Sequence, residues 1–267
     1  MPALNFREKI MRLEVLIATM NQKDYSLLDK MNIQTDAIVV NQCDENRIEE
    51  FDYKGHRIKW ISLSERGVGL SRNTALMRST ADVCLFADDD VVYEDGYEQL
   101  VLAAFKEKAD ADIIVFNLRS QNPNRPEIIV KKTHVLRWYN CLKYGAFRIA
   151  IRRKQIVKTN VFYSLLFGGG AEYQAGEDNL FITQCLQAKL KGYSFKTQIG
   201  TVKQEESTWF RGYNERYYYD RGALFYAMYG GWAKAILCFF ELRKGLKGLY
   251  NRLRNGFDGI KAYRKRT

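Results

Sequence analysis

Residues 83–90 read VCLFADDD. Five apolar residues run directly into three consecutive aspartates. A short, nearly all-apolar run is the pattern of a strand buried on both faces. Three carboxylates at the end of such a strand repel one another and lose hydration, so the run needs a partner. Side chains alternate along a strand. If the extended backbone continues, Asp88 and Asp90 point one way and Asp89 the other. Two carboxylates on one side suit a hard divalent cation, which needs only one or two of them when phosphate oxygens complete its shell. A solvated acidic turn or a helix cap is the competing reading of the run by itself.

The same pattern repeats on either side. Residues 13–18 (LEVLIA), 36–40 (DAIVV), 57–61 (RIKWI) and 112–118 (DIIVFNL) predict further strands. Helices are predicted over 25–31, 69–77 and 97–108, with Ser71 as an N-cap of the second. Residues 178–191 (DNLFITQCLQAKLK) read as an amphipathic helix stopped by Gly192. Apolar strands alternating with helices predict an α/β fold, a Rossmann-like and mostly parallel sheet with helices on both faces. Ligands of such sheets bind beyond the carboxyl ends of the strands. Thr19, Asn21, Asp44 and Asp88 to Asp90 are therefore expected to converge at one edge. From 123 to 209 the alternation weakens, and Gly168-Gly169-Gly170 reads as a flexible loop.

Two further stretches carry chemistry. Residues 67–73 (GVGLSRN) join glycines to a helix start, where backbone can approach an anion and Arg72 can offer a fork of donors to a diphosphate. The stretch lacks the Gly-Lys-Ser/Thr ending of a Walker loop and does not follow a strand as a dinucleotide fingerprint does. Residues 176–179 (GEDN) open the 178–191 helix. Asp178 there reads either as a partner of the helix dipole or as a general base facing an acceptor hydroxyl. His56 and His134 have no partner pattern and are assigned structural roles.

The chain has 267 residues, 46% hydrophobic and 27% charged, with a net charge of +11. From Arg211 onward there are 13 basic and four acidic residues, so the basicity belongs to the tail. A nucleic-acid domain would carry its positive face through the folded body, so no nucleic-acid partner is expected. A basic tail among aromatic residues fits an anionic membrane surface. Within it, 222–240 carries only Lys234 and is interrupted by Gly230-Gly231. It reads as an in-plane or re-entrant anchor, with a spanning helix or a buried core helix as alternatives. The five cysteines form no C-x-x-C pair, and at least three sit in apolar runs, which suggests a reducing compartment. The opening MPALNFREKIMRLEVLIA does not read as a secretory leader. The expectation is a cytoplasmic protein, peripheral on the inner face of the cell membrane.

Taken in order, the motifs resemble those of family 2 glycosyltransferases of the inverting GT-A type, as found in bacterial surface-polysaccharide synthesis. EVLIATMN resembles the family's opening strand and loop, and Asp44 after DAIVVNQ its nucleobase-contacting acid. GVGLSRNTAL resembles the helix start, FADDDVVY the DxD region, and GEDNLF the Glu-Asp motif that carries the catalytic base. The similarity covers about residues 12–210. It implies a GT-A domain over 1–210, with a nucleotide-sugar half at about 12–120 and an acceptor half at about 121–210. Residues 211–267 are then a helical, basic and aromatic membrane-association tail. It further implies a nucleotide-sugar donor, UDP-linked by preference, held by Thr19, Asn21, Asp44, Arg72, Asp88, Asp89 and Glu177. A Mn or Mg ion would sit on Asp88 and Asp90, Asp178 would be the base, and a glycan or lipid-linked hydroxyl would be the acceptor. Two departures stand out. NQCD replaces the usual longer polar run after the second strand. Where many relatives carry a metal-binding His, this chain reads VKQEESTWF, leaving either Gln204 or Glu205 as the substitute or the metal to rely on Asp90 and the diphosphate.

Two rivals belong to other classes. A nucleotidyltransferase would carry a Gly-rich loop with a trailing Arg or Lys after its first strand, and none is found. A non-enzymatic membrane or nucleic-acid binder would explain the tail but not the ordered acidic and Ser-Arg-Asn motifs.

Overall fold

A ten-stranded sheet carries the chain in the computed structural model, which describes residues 11–204 and 212–266. In order the elements are β1 (Leu13–Met20), α1 (Leu27–Lys30), β2 (Asp36–Gln42), β3 (Arg47–Tyr53), β4 (His56–Leu63) and α2 (Val68–Arg78). Next come β5 (Val83–Asp88), β6 (Val91–Tyr93), α3 (Tyr97–Glu107), β7 (Ile113–Ser120), β8 (His134–Val135), β9 (Ile149–Arg152) and α4 (Arg153–Thr159). The rest are α5 (Glu177–Gln187), β10 (Gly192–Val202), α6 (Glu215–Tyr229), α7 (Ala233–Leu242) and α8 (Leu249–Arg264). The strand order is β3-β4-β2-β1-β5-β9-β7-β10-β6, with β8 beside β10.

Four of the five apolar strands predicted from sequence make the parallel block β4-β2-β1-β5, and the fifth, β7, lies beyond it. Beyond β5 the sheet becomes mixed. β9 runs antiparallel to both β5 and β7, β10 is parallel to β7, and β6 is antiparallel to β10. Five strands escaped the sequence reading, β6 and β8 because three and two residues are too few to show a pattern. β3 (RIEEFDY) is a largely exposed edge strand with little apolar content. β9 has only four residues. β10 mixes polar and apolar residues, and its pairing shifts register between Ser194 and Gly200.

The pleat sorts the strand residues into two cores. Val15, Ile17, Val39, Leu85 and Phe116 face α1 and α3, packing with Leu28, Met31, Val101 and Phe105. Leu16, Ile38, Val40, Phe86 and Val115 face α2, α4 and α5, packing with Leu76, Ile156, Phe181 and Ile182. Helices on both faces, as the sequence implies, follow from strands apolar on both sides. Cys84, Cys141 and Cys185 are buried in this second core, and all five cysteines are free.

The tail builds a third core. Ala223, Leu224, Phe225 and Met228 of α6, Leu237 of α7 and Ile260 and Tyr263 of α8 surround Phe167, Tyr173 and Leu180. The stretch Glu215–Leu242 is long and apolar enough to cross a membrane by length and composition, its most apolar 18-residue window having a mean hydropathy of 1.3. It is folded as two helices, parted at Gly230, where φ is +53°. Its α6 half is therefore largely a core helix, the alternative the sequence left open for 222–240. A salt-bridge hub holds the hairpin: Glu241, fully buried, meets Arg252 Nε at 2.8 Å, Lys244 Nζ at 2.8 Å and Arg221 Nε at 3.5 Å.

α6 and α8 cross at glycines. A Cβ on Gly222 would collide with the Gly256 carbonyl, and one on Gly259 with the Tyr219 carbonyl. These neighbours are backbone and cannot turn aside. Alanine normally gains about 0.5–1 kcal/mol over glycine inside a helix, but overpacking costs about 1–3 kcal/mol. Gly222→Ala is therefore expected to lower stability, read as an earlier urea midpoint. An unchanged midpoint would contradict the close crossing.

Candidate active site

The carboxyl ends of β1, β2, β4 and β5 open on one edge, where the chain leaves a cleft of about 820 Å³. That volume lies near the top of the range for small-molecule sites. Thr19, Arg72, Asp88, Asp89, Asp90 and Glu177 all line it. The convergence follows from topology: parallel strands place their following loops at one edge.

Arg72 is the hub of the site. It sits in the second turn of α2 and is 3% exposed. Its Nη2 donates to Asp88 Oδ1 at 2.8 Å, and its Nη1 to Asp178 Oδ1 at 2.8 Å and Glu177 Oε1 at 3.1 Å. Its guanidinium lies over the Tyr163 ring at 5.1 Å, and Tyr163 stacks on Phe181 at 4.3 Å. The fork that the sequence reading aimed at a diphosphate is thus spent on three carboxylates. The position expected for Ser71 also differs. The helix starts at Val68, with Gly67 at its N-cap, and the buried Ser71 hydroxyl donates back to the Gly67 carbonyl at 3.4 Å.

The aspartate run does not obey simple alternation, because β5 ends at Asp88 and a turn follows. All three side chains line the cleft. Asp89 accepts from the Thr19 hydroxyl at 2.6 Å, and Asp90 accepts from the Gln204 amide at 3.2 Å. Burial, with the charge of Asp88 beside it, pushes the Asp90 carboxyl up to about 6. Among the described residues no three His, Cys, Asp or Glu side chains form a metal cage by themselves.

Glu177 and Asp178 begin α5, after Gly176 in a left-handed conformation. Glu177 lines the cleft, whereas Asp178 sits behind it with its side chain 19% exposed. The second oxygen of Asp178 accepts from the Ala146 amide at 2.9 Å. Burial raises the Asp178 carboxyl well above the usual range, Arg72 opposes that rise, and Glu177 and Asp88 add to it. The residues 168–170 are packed rather than loose. The Gly169 carbonyl accepts from the Val68 amide at 3.0 Å, and a Cβ on Gly168 would come within 2.8 Å of the Glu177 carboxyl carbon. Two glycine loops therefore close on each other, and side chains there would push the acids out of place.

Asn21 and Asp44 lie outside the cleft wall. Asn21, with φ +55°, donates its amide to the Gln42 carbonyl at 3.0 Å and holds the loop after β1. Asp44 is exposed and pairs with Arg66 at 2.7 Å. Asp44 follows the end of β2, and its partner Arg66 lines the cleft. Glu205 lies outside the described residues. Several cleft residues were missed from the sequence, namely Gln42, Arg66, Arg125, Phe147 and Lys203, whereas Gln204, singled out there as a substitute metal ligand, lines the cleft. Gln42 was findable, since it ends β2 at the same edge and caps the Gly67 amide at 2.6 Å. Lys203 and Gln204 follow β10, which was not recognised as a strand.

Removing the Arg72 charge leaves three carboxylates facing each other in a partly dry site, a loss of about 3–5 kcal/mol for a buried pair broken on one side. Arg72→Met is expected to unfold at much lower denaturant than the parent at pH 8. The freed acids would have folded pKa values raised above their unfolded ones, so their penalty is present above those folded values and fades as pH falls through them. The gap between parent and variant should therefore narrow toward pH 5. A gap that stays constant between those pH values would contradict the hub.

The family model for glycosyl transferase family 2 matches residues 19–165, more than half of the chain. No curated protein matches the sequence. Among solved structures, S. aureus TarS residues 1–349 in complex with UDP-GlcNAc aligns with a TM-score of 0.65 at 17% identity, covering 95% of this chain and 82% of that one. The same protein in complex with UDP aligns at 0.61 and 15% identity, covering 96% and 92%. At such identities the likeness speaks for the fold: a central sheet with flanking helices and a helical C-terminal region. With the family model matching more than half of it, the chain belongs to glycosyltransferase family 2 and is a glycosyltransferase.

Proposed function

We propose that this enzyme moves a sugar from a UDP-sugar to a hydroxyl of a glycan or lipid-linked acceptor, with inversion at the anomeric carbon, in cell-surface polysaccharide synthesis. The observation that carries the reading is the cleft itself. One wall is the Asp88–Asp90 run, another is the Arg72–Glu177 pair, and the volume between suits a nucleotide sugar. The UDP-GlcNAc and UDP complexes of the TarS neighbours favour UDP among nucleotides.

The donor set suits Mn2+ or Mg2+: hard carboxylate oxygens of Asp88 and Asp90 on the wall of an open cleft, where a ligand's phosphate oxygens can complete the shell. Such an ion, when bound, stabilises the charge that gathers on the β-phosphate of the leaving nucleoside diphosphate. Thr19 holds Asp89, the Gln204 amide holds Asp90, and Arg72 holds Asp88, so each acid is kept at its station. Arg66, Arg125 and Lys203 bring positive charge to a cleft whose ligand carries a diphosphate.

The acceptor hydroxyl is a weak nucleophile until its proton is removed. A placed carboxylate supplies roughly 10²–10⁴-fold by that route. Asp178 is assigned that role: its raised carboxyl holds a proton more readily than an exposed aspartate, and Arg72 and the Ala146 amide fix its geometry. Glu177 is the second candidate, because it is the acid that faces the cleft. One carboxylate suffices for direct inversion, whereas a covalent route needs a second beside the anomeric carbon.

Release of UDP, GDP and dTDP from a panel of nucleotide sugars tests the donor assignment. UDP release that needs Mn or Mg and stops with EDTA is expected; release of another nucleotide, or full activity in EDTA, contradicts it. Asp178→Asn keeps the shape and should lose turnover by about two orders of magnitude or more while UDP binding survives. The same pattern in Glu177→Gln, with Asp178→Asn active, transfers the role to Glu177. Asp90→Ala should lose nearly all transfer and Asp89→Ala less. Equal transfer by Asp90→Ala and the parent removes Asp90 from the ion site.

A further inference from the structure

The helix α7 (AKAILCFFEL) is apolar around almost its whole circumference. Such a helix is normally buried on all sides or placed in lipid. Here only one stripe is buried. Ala233, Leu237 and Glu241, four residues apart, face α6 and α8. On the opposite side Trp232, Ala235, Phe239 and Leu242 recur at intervals of three and four, the spacing of one helix face. Trp232, Phe239 and Leu242 are each more than half exposed, and Leu246 and Tyr250 just beyond are over three-quarters exposed.

The charge around this stripe has one sign. From Trp232 to Tyr250 the exposed charged side chains are all basic, Lys234, Arg243, Lys244 and Lys247, and the first exposed acid beyond them is Asp258 of α8. The single acid between Trp232 and Arg254 is Glu241, and it is drawn fully inside by Arg252, Lys244 and Arg221. The fold has thus removed the only negative side chain from the surface of this segment and left its large apolar groups outside.

We infer that the outer face of α7, continued through Leu246 and Tyr250, docks on an anionic lipid bilayer. The inference extends the proposed function, on which it rests for the lipid-linked acceptor it would bring within reach. Ten residues of helix span about 15 Å, half the hydrocarbon thickness, so α7 lies in the plane of the interface and does not cross it. The preceding helix does not lengthen it, because Gly230 breaks the run and α6 commits Leu224, Phe225 and Met228 to the protein core. Aromatic rings and leucines enter the boundary between headgroups and chains, and the basic side chains meet anionic headgroups. A second copy is the weaker occupant. A two-fold contact of this face with itself would set basic rim against basic rim. A nucleic acid would match the charge but leave Phe239, Leu242 and Leu246 without a partner.

Co-sedimentation of the full chain with phosphatidylcholine vesicles, with and without phosphatidylglycerol, decides the matter. Binding is expected only with the anionic lipid and should weaken as salt rises. Phe239→Ser/Leu242→Ser/Leu246→Ser replaces exposed side chains and should cut vesicle binding at least roughly tenfold, with unchanged thermal unfolding. Arg243→Glu/Lys247→Glu should do the same at low salt. UDP release should be unaffected in both, so a failure of docking is told apart from a failure of the transferase reading. Parent protein that ignores anionic vesicles at low salt overturns the inference. So does a serine variant that binds like the parent. A concentration-dependent dimer in lipid-free buffer, abolished by the serine variant, would assign the face to a second copy and overturn it as well.

Discussion

One guanidinium organises the active edge of this protein. Arg72 is buried, and each of its terminal nitrogens is committed to carboxylates from separate parts of the chain: Asp88 at the end of β5, and Glu177 and Asp178 at the start of α5. Asp88 and Glu177 lie 89 residues apart in sequence (177 − 88). A planar fork with fixed donors can hold three acids at set angles, which a lysine ammonium cannot. Without that charge the acids would repel one another, and the cleft between them would have no defined shape. The aromatic platform under Arg72, made of Tyr163 and Phe181, keeps the fork in place.

Much of the remaining architecture supports this arrangement. Gly69 and Gly170 allow the start of α2 to touch the loop at 163–170, and Gly168 leaves room for Glu177. The C-terminal helices reach the same loop. Leu224 packs so closely on Gly176 that no side chain fits there, and Asp220 accepts from the Gln174 amide at 3.1 Å. The tail is therefore joined to the segment that presents Glu177 and Asp178, while its other side carries the exposed apolar stripe. The Glu177–Asp178 pair and the surface stripe are faces of one helical hairpin and the loop it braces.

The sequence disclosed the parallel half of the sheet because buried strands in such sheets are apolar on both faces. LEVLIA, DAIVV and VCLFA admit no other comfortable reading. The edge strand β3 and the short or bulged strands β9 and β10 were hidden for the converse reason, since exposed or irregular strands lack that pattern. At the site, residue types were legible and their partners were not. The aspartate run, Arg72 and the Glu-Asp pair were all singled out, yet Arg72 was aimed at phosphate when it belongs to the acids. Alternation also failed for Asp89, because the strand ends one residue earlier and the turn brings it round to Thr19. In the tail, composition marked an apolar, basic segment but could not say which face would be buried. Only the packing of α6 on α8 separates the core residues from the exposed ones.

The central claim is that the cleft bounded by Arg72, the aspartate run and Glu177 is where the nucleotide sits. Amide hydrogen exchange with and without UDP and Mn2+ addresses it directly, since a bound ligand slows local opening at its contacts. The account predicts slower exchange over 18–22, 66–73 and 88–91, with little change along β3 or α8. Protection confined to another part of the chain, or none at saturating UDP, would contradict it.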